Sequence, residues 1–196
     1  DDGEFYDWDK VIARLEAEEP FWDPGTRNGY HMLNFGWTVG ELVRRVSGRS
    51  LGQFFRDEFG EPLGLDYWIG LPEEHEHRVV PIQGYVREKG EPVNDFAKTL
   101  LSDPASIPAL AFGNGMFFSF NSRACHAAEI GGGGGIGNAR ALAKLYAPIA
   151  NGELFTKEQV DRMRRVSTAT NYDATLCIPT RFGLGFMVSM DNRAVP

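Results

Sequence analysis

The sequence predicts a mixed α/β fold of the α+β kind, in which helices make up most of the chain and strands are few. Apolar residues recur at helical spacing in several segments, whereas residues 181–190 alternate as one β-strand. A lone strand cannot satisfy its own backbone groups, so we expect its partners to lie outside this chain. The 196 residues suffice for one domain with a core, and without repeats or linkers we expect a single domain over 1–196.

The first third of the chain is predicted to contain three helices. Residues 5–18 place their apolar side chains on one face and end before Pro20. A second helix is predicted to follow Tyr30 directly and to run to about Val46, where a glycine closes it. Ser50 fits the start of a capping box and predicts a third helix.

The middle of the chain has weaker patterns. Residues 67–71 form a short apolar run that is predicted to be extended. Residues 79–86 have strand character, but a proline and a glycine make them an edge strand or a loop. Turn-forming residues predict an irregular segment over 88–104, and short helical turns are predicted over 105–120.

The last third again favours helices. Residues 122–129 predict a short helix, and the five-glycine run 131–135 predicts a loop. A well-patterned helix is predicted over 138–151. A second capping box at Thr156 predicts a helix to about residue 165.

Composition excludes some classes of protein. The formal charge of −7 is spread along the chain, which argues against a nucleic-acid partner. No apolar run approaches the roughly 18 residues of a membrane span. The first four residues do not resemble a signal peptide, which favours the cytoplasm for this chain but says nothing about a longer parent protein. Cys125 and Cys177 are far apart and are predicted to be buried free thiols rather than ligands of a zinc site.

Tyr30 is the leading candidate for a chemical role. Two turn signals, Pro24-Gly25 and Asn28-Gly29, precede it and would project it at a defined angle. A phenol at the start of a helix would have its ionised form favoured by roughly 0.3–1 kcal/mol. The alternative is that Tyr30 is a half-buried anchor for the turn.

A set of motifs along the chain resembles the beta-lactamase-related serine hydrolases, which include class C beta-lactamases, penicillin-binding proteins and family VIII carboxylesterases. The matching segments are Pro24-Gly25-Thr26, Tyr30-His31-Met32, Val46-Ser47-Gly48-Arg49-Ser50-Leu51, Pro62-Leu63-Gly64-Leu65, Gly135-Ile136-Gly137-Asn138-Ala139-Arg140 and Phe182-Gly183-Leu184-Gly185-Phe186. In that family a tyrosine follows a Pro-Gly turn and acts as a general base or proton shuttle. The resemblance implies that role for Tyr30, and a beta-lactamase/transpeptidase-like fold.

The other two catalytic motifs of the family are missing from these residues. No serine is followed three positions later by lysine, as in the family's Ser-x-x-Lys nucleophile motif, and no Lys-Thr-Gly-like triplet follows residues 182–186. The resemblance therefore implies a central fragment, containing the helical subdomain and one or two strands of the antiparallel sheet. A phenol is a poor base at neutral pH without nearby cations. We therefore expect the chain alone to be inactive, and no metal or cofactor is implied.

The residues after Tyr30 bear on the substrate. Beta-lactamases and penicillin-binding proteins usually have asparagine two positions after this tyrosine, where its amide binds the substrate. Met32 occupies that position and offers no strong donor or acceptor, which favours small carboxylic esters over beta-lactams. His31 is a candidate for polar contact with the substrate, and Trp22 and Trp68 are candidate pocket residues or core residues. A beta-lactamase or a D-Ala-D-Ala peptidase is the alternative enzyme, and the oligomeric state is not predicted.

Two further motifs have better structural explanations. Gly48-Arg49-Ser50-Leu51-Gly52 matches a nucleophile elbow, but a helix rather than a strand precedes Ser50. The glycines at 132, 134 and 137 match a dinucleotide fingerprint but lack the strand before them. A non-catalytic homologue that serves as a binding or scaffold protein also remains open, as does, more remotely, a nucleotide-binding protein.

Overall fold

A computed structural model describes residues 3–113 and 119–190 of the chain. Its α-helices are, in chain order, α1 (Trp8–Ala17), α2 (Asn34–Ser47), α3 (Leu51–Phe55), α4 (Asp95–Ser102), α5 (Ile107–Gly113), α6 (Arg123–Ala127), α7 (Ala139–Ala150) and α8 (Lys157–Arg164). Its strands are β1 (Tyr67–Ile69), β2 (Gly135–Gly137), β3 (Thr168–Thr170) and β4 (Thr180–Phe182). Short 3-10 turns occupy Glu4–Tyr6 and Glu73–Arg78, and a π-helical turn, Arg56–Gly60, extends α3.

The chain divides into two compact units, each assembled from segments that are distant in sequence. The first unit combines residues 1–19, 31–93 and 111–145, and the second combines residues 20–30, 94–110 and 146–196. The sequence showed no such boundary because both units are discontinuous. The single domain over 1–196 stays a prediction.

The core of the first unit is built around α1 and α2. Val11 and Ile12 of α1 pack with Trp37 of α2, which is only 2% exposed. Cys125 and Ile130 complete this buried cluster from the α6 region. The amphipathic pattern predicted for residues 5–18 is therefore confirmed, although a 3-10 turn precedes α1 and the Asp7 side chain caps it.

A buried carboxylate ties α1 to α2. Glu41 on α2 is 7% exposed, and its Oε2 accepts hydrogen bonds from the Trp8 indole at 2.8 Å and from Arg44 Nε at 2.7 Å. Its Oε1 accepts from Arg45 Nε at 2.7 Å. The Arg44 hydrogen bond, supported by those from Trp8 and Arg45 and opposed by burial, lowers the pKa of Glu41 to about 2.

Glycines allow two backbones of the first unit to meet. A Cβ added to Gly36 on α2 would lie 2.0 Å from the Gly132 nitrogen, closer than real Cβ atoms come to any other atom. A Cβ on Gly132 would in turn lie 2.6 Å from the Met32 carbonyl oxygen. The glycine run therefore packs against the start of α2, where any larger residue would force the segments apart.

Two small antiparallel sheets lie in separate units. In the first unit β1 pairs with β2, with Trp68 opposite Ile136. In the second unit β3 pairs with β4, with Ala169 opposite Arg181. Among the described residues, no helix is long and apolar enough to cross a membrane.

Helix caps account for most of the confirmed element predictions. Gly48 ends α2 in the left-handed conformation, with φ 71°. Ser122 caps α6, and Thr156 forms a complete capping box with Gln159 at the start of α8. The helix predicted over 138–151 is observed as α7.

Two predictions for polar and glycine-rich segments were correct for only part of their range. Residues 88–94 contain no helix or strand, as predicted, but α4 occupies Asp95–Ser102. Asn94, one of the turn residues, caps this helix by accepting a hydrogen bond from the Ala97 backbone at 2.8 Å. The loop predicted over 131–135 ends early, since Gly135 begins β2. Residues 79–86 contain no assigned strand, in agreement with the loop alternative. Helix α5 bears out helical structure within 105–120, and residues 114–118 of that range lie outside the described residues.

The strand predicted over 181–190 is much shorter than expected, and its partner is inside the chain. Strand β4 covers Thr180–Phe182 and pairs with β3, so the prediction that all its partners lie elsewhere was wrong. After Phe182 the chain turns through Gly185, with φ 80°, and Met187 bridges back to Phe182. The alternating apolar residues therefore belong to a tight turn as well as to a strand.

The Glu41 interactions predict a specific loss of stability. Glu41→Gln should lower the free energy of unfolding at pH 7 by on the order of 2 kcal/mol, since it removes a buried charge that faces two arginines. The measurement is urea denaturation followed by tryptophan fluorescence. Because the folded-state pKa lies below the ordinary value of 4.5, the wild-type advantage should be complete above that pH and should shrink as the pH falls toward 2.

Glu16→Gln is the matched control. Glu16 bonds the same Arg45 at 2.6 Å, but both side chains of that pair are 59% exposed. Glu16→Gln should lower the free energy of unfolding by less than about 0.5 kcal/mol. An equal loss in the two variants would contradict the assigned role of Glu41.

Candidate active site around Tyr30

The segment before Tyr30 forms one of the two turns that the sequence predicted, at Pro24-Gly25, whereas no turn is assigned at Asn28-Gly29, where the second was predicted. The Thr26 nitrogen donates to the Asp23 carbonyl at 3.1 Å, and Gly25 has a φ of 84°. The Trp22 indole donates to the Arg27 carbonyl at 3.1 Å. The helix predicted to follow Tyr30 directly begins later, because α2 starts only at Asn34.

Two backbone hydrogen bonds fix the peptides on either side of Gly29. The Tyr30 nitrogen donates to Asp173 Oδ1 at 3.0 Å. The Ala174 nitrogen donates to the Asn28 carbonyl at 2.9 Å. Residues 28–30 are therefore held against a loop that lies 143 residues further along the chain.

The Asp173 carboxylate is almost completely buried, with the residue 1% exposed. Besides the Tyr30 nitrogen, Oδ1 accepts from the Thr175 nitrogen at 2.9 Å and the Leu176 nitrogen at 3.0 Å. Oδ2 accepts from the Thr180 hydroxyl at 3.2 Å, and Thr180 is fully buried. A buried carboxylate needs such donors, because burial without them is costly.

The Tyr30 ring is positioned by the β3–β4 pair. It stacks on Phe182 of β4 with ring centroids 6.0 Å apart and planes 19° apart. Thr168, opposite Phe182 on β3, donates its hydroxyl proton to Asn28 Oδ1 at 2.7 Å. Both the main chain and the ring of this half-buried tyrosine are thus held by residues of the second unit.

The Trp22 indole packs closely against Gly29. A Cβ on Gly29 would lie 2.8 Å from Trp22 Cη2 and 3.0 Å from Thr175 Oγ1. The indole is half-buried, and the Arg27 guanidinium lies 5.2 Å from its ring centroid. These contacts give Trp22 a structural role, whereas its role in lining a substrate pocket stays a prediction.

The other candidate substrate residues lie in the first unit. His31 is exposed and Met32 is half-buried at the start of the segment that contacts the glycine run. Trp68 on β1 contacts both the Arg56 guanidinium, 4.1 Å from its ring centroid, and the His75 ring, with centroids 4.9 Å apart. Contact of these three residues with a substrate stays a prediction.

The structure supports the structural explanations of the two competing motifs. The Ser50 hydroxyl accepts from the Gln53 nitrogen at 3.2 Å as the cap of α3 and donates to Glu129 at 2.7 Å. It follows a helix and Gly48, not a strand. The glycine run follows α6, so the strand of a dinucleotide fingerprint is absent there. Across the described residues no group of His, Cys, Asp and Glu has the arrangement of a metal site.

A second tyrosine lies close to Asp173 in sequence but has different surroundings. A hydrogen bond to Cys177 raises the pKa of the Tyr172 phenol above its ordinary value. Cys177 is buried and has a positive φ of 57°, which is uncommon for a residue other than glycine. A phenol with a raised pKa is a weaker candidate for proton abstraction at neutral pH.

Sequence reasoning missed the residues that hold Tyr30. Asp173 followed by Thr175 is typical of an Asp-initiated turn, and this was the one local sign of a structured loop. Nothing local indicated that the same carboxylate would also bind the Tyr30 backbone. Phe182 was predicted to be in a strand but was not linked to Tyr30.

Comparisons with known proteins relate the whole chain to one family. The family model described as Beta-lactamase matches residues 1–194. The protein Esterase/beta-lactamase LipL of Mycobacterium tuberculosis is 31% identical over 176 residues, which cover 82% of this chain and 40% of the relative.

Solved structures agree with that match. A family VIII carboxylesterase is 34% identical, with a TM-score of 0.75 over 96% of this chain and 49% of its own. A penicillin-binding protein homologue from Caulobacter crescentus is 29% identical, with a TM-score of 0.77 over 98% of this chain and 50% of its own. The chain therefore spans about half the length, or less, of these relatives.

The close contacts of Gly29 predict that this position tolerates no side chain. Gly29→Ala should lower the free energy of unfolding by about 1–3 kcal/mol, because its Cβ would overlap Trp22. Thermal unfolding measured by circular dichroism tests this. Gly84→Ala is the control, since a Cβ there meets no atom within 4 Å. If the two substitutions had the same effect, the tight packing of the turn would be contradicted.

Proposed function

Since this chain belongs to the beta-lactamase family of serine hydrolases, we propose that it is part of an esterase for small carboxylic esters, with Tyr30 as its general base and proton shuttle. The beta-lactamase/transpeptidase-like fold predicted from the sequence is confirmed by the related structures. The chain is mostly the helical part of such a domain, and we propose that residues 1–196 form one incomplete domain.

The observation that carries the proposal is the double restraint on Tyr30. Its backbone nitrogen is bound to Asp173 at 3.0 Å, and its ring stacks on Phe182. A catalytic base must be held in a defined place relative to the proton that it removes. An anchor for the turn alone would require the backbone bond but not an ordered ring.

The proposed reaction proceeds through an acyl-enzyme. A serine outside these residues, in the family's Ser-x-x-Lys motif, attacks the ester carbonyl while Tyr30 accepts the hydroxyl proton. That proton passes to the alcohol oxygen as the C–O bond breaks and the alcohol leaves. Water then attacks the acyl carbon with Tyr30 again accepting a proton, and the serine oxygen leaves as the proton returns to it.

Met32 supports esters over beta-lactams as substrates. The thioether has no strong hydrogen-bond donor or acceptor with which to bind the amide side chain of a beta-lactam or peptide. A simple ester has no such group to satisfy. The names of the relatives include both esterase and beta-lactamase, so beta-lactam or D-Ala-D-Ala peptide hydrolysis is the alternative outcome of the tests below.

Removing the Tyr30 hydroxyl tests its catalytic role. In the full-length protein that contains this chain, Tyr30→Phe should lower kcat for short p-nitrophenyl esters by roughly 10²–10⁴-fold, the usual range for a general base. The stacking on Phe182 should persist, so the folded structure should be unchanged by circular dichroism.

Tyr146→Phe is the matched control for that change. Tyr146 lies in the same unit, is 52% exposed and packs edge-on against Phe186 with ring centroids 6.5 Å apart. It should keep the wild-type kcat. A full-length protein that turns over neither esters nor a chromogenic cephalosporin would instead support a non-catalytic homologue.

Exchanging Met32 tests the substrate preference. Met32→Asn should raise kcat/KM for a chromogenic cephalosporin by about tenfold, as one added hydrogen bond allows, with little change for p-nitrophenyl acetate. Met32→Leu, which adds no polar group, is the control. A wild-type preference for the cephalosporin would overturn the assignment of esters.

A further inference from the structure

We propose that Asp173 is a positioning residue for this reaction: its buried carboxylate holds the Tyr30 peptide and thereby fixes where the phenol can exchange a proton. The inference rests on the proposed function of Tyr30. The inference extends that proposed function by assigning a role to Asp173, which lies 143 positions from Tyr30 in the sequence.

The hydrogen bonds of Asp173 divide into local and long-range ones. The Thr175 and Leu176 nitrogens belong to the loop that Asp173 begins, and the Thr180 hydroxyl follows that loop. The Tyr30 nitrogen is the donor from outside the loop. A side chain that served only to form a turn would have no need of this fourth donor.

The carboxylate cannot shift without moving Tyr30. Oδ2 is bound to Thr180, which is fully buried, and Oδ1 is bound to two amides of its own loop. A second link, from the Ala174 nitrogen to the Asn28 carbonyl at 2.9 Å, holds the other side of Gly29. Both peptide planes next to Gly29 are therefore tied to the loop that starts at Asp173.

These restraints determine the direction of the Tyr30 side chain. With its nitrogen held by Asp173 and its ring held against Phe182, little freedom remains for the phenol. A displacement of about 1 Å at a reacting group can reduce a rate by about 10²-fold. Losing the Asp173 link should therefore reduce proton transfer even though Asp173 touches no reacting atom.

A double-mutant cycle in the full-length protein separates positioning from general support of the fold. Wild type, Tyr30→Phe, Asp173→Ala and the double variant are compared by kcat and KM for p-nitrophenyl acetate, normalised to the folded fraction. Asp173→Ala should lower kcat by about 30–100-fold and change KM by less than about threefold. In the Tyr30→Phe background it should lower kcat by less than about threefold, because Asp173 acts through the Tyr30 hydroxyl.

Two further variants protect the test against a simple loss of folding. Asp173→Asn keeps an oxygen for the three amides, and its amide nitrogen can donate to Thr180, so kcat should stay within about fivefold of wild type. Glu41→Gln should lower stability in the first unit, to which none of these contacts belongs, and should leave kcat per folded molecule unchanged. Hydrogen exchange of the Tyr30 amide should be at least tenfold faster in Asp173→Ala than in wild type or Asp173→Asn.

The measurements distinguish a failure of the inference about Asp173 from a failure of the proposed function of Tyr30. An Asp173→Ala protein with wild-type kcat overturns the inference, and so does an equal additional loss of kcat in the Tyr30→Phe background. If Tyr30→Phe itself keeps full activity, the proposed function of Tyr30 fails, and with it the role of Asp173. A loss in Tyr30→Phe without a loss in Asp173→Ala leaves the proposed function intact and overturns only the inference.

Discussion

The second unit depends on satisfying one buried carboxylate. Asp173 is 1% exposed, and an ion removed from water to that extent is stable only when its oxygens are fully hydrogen-bonded. Backbone amides supply most of the donors, and backbone amides have fixed directions. The need to satisfy the charge thus becomes a geometric constraint that joins the backbone of Tyr30 to the loop before β4.

In the first unit a geometric constraint comes from close backbone packing rather than from a buried charge. At the start of α2 the backbone at Gly36 touches the backbone at Gly131 and Gly132, an approach that any side chain would prevent. The glycines of this run match a dinucleotide fingerprint in sequence, but here they allow close contact between two protein segments. The same residue type therefore serves packing in one unit and, at Gly29, the Trp22 contact in the other.

Local patterns predicted most helices because their start and stop residues act within a few positions. Ser50, Thr156 and Gly48 were assigned to helix ends correctly, since a cap bonds groups only a few residues away. Asn94 was assigned to a turn, because an asparagine side chain makes the same local bond in a turn and at a cap. The alternation over 181–190 predicted one long strand because the pattern cannot show that the chain reverses at Gly185.

Local residues were enough to predict most of the helices, the Pro24-Gly25 turn and, through the motifs, the family and the candidate base. The folded structure was needed to show that Asp173 binds the Tyr30 backbone, that Phe182 stacks on the Tyr30 ring, and that β4 pairs with β3. The reason is physical: a carboxylate or a strand edge accepts any suitable donor. Which donor reaches it depends on how segments 143 residues apart are folded together, and no local pattern contains that information.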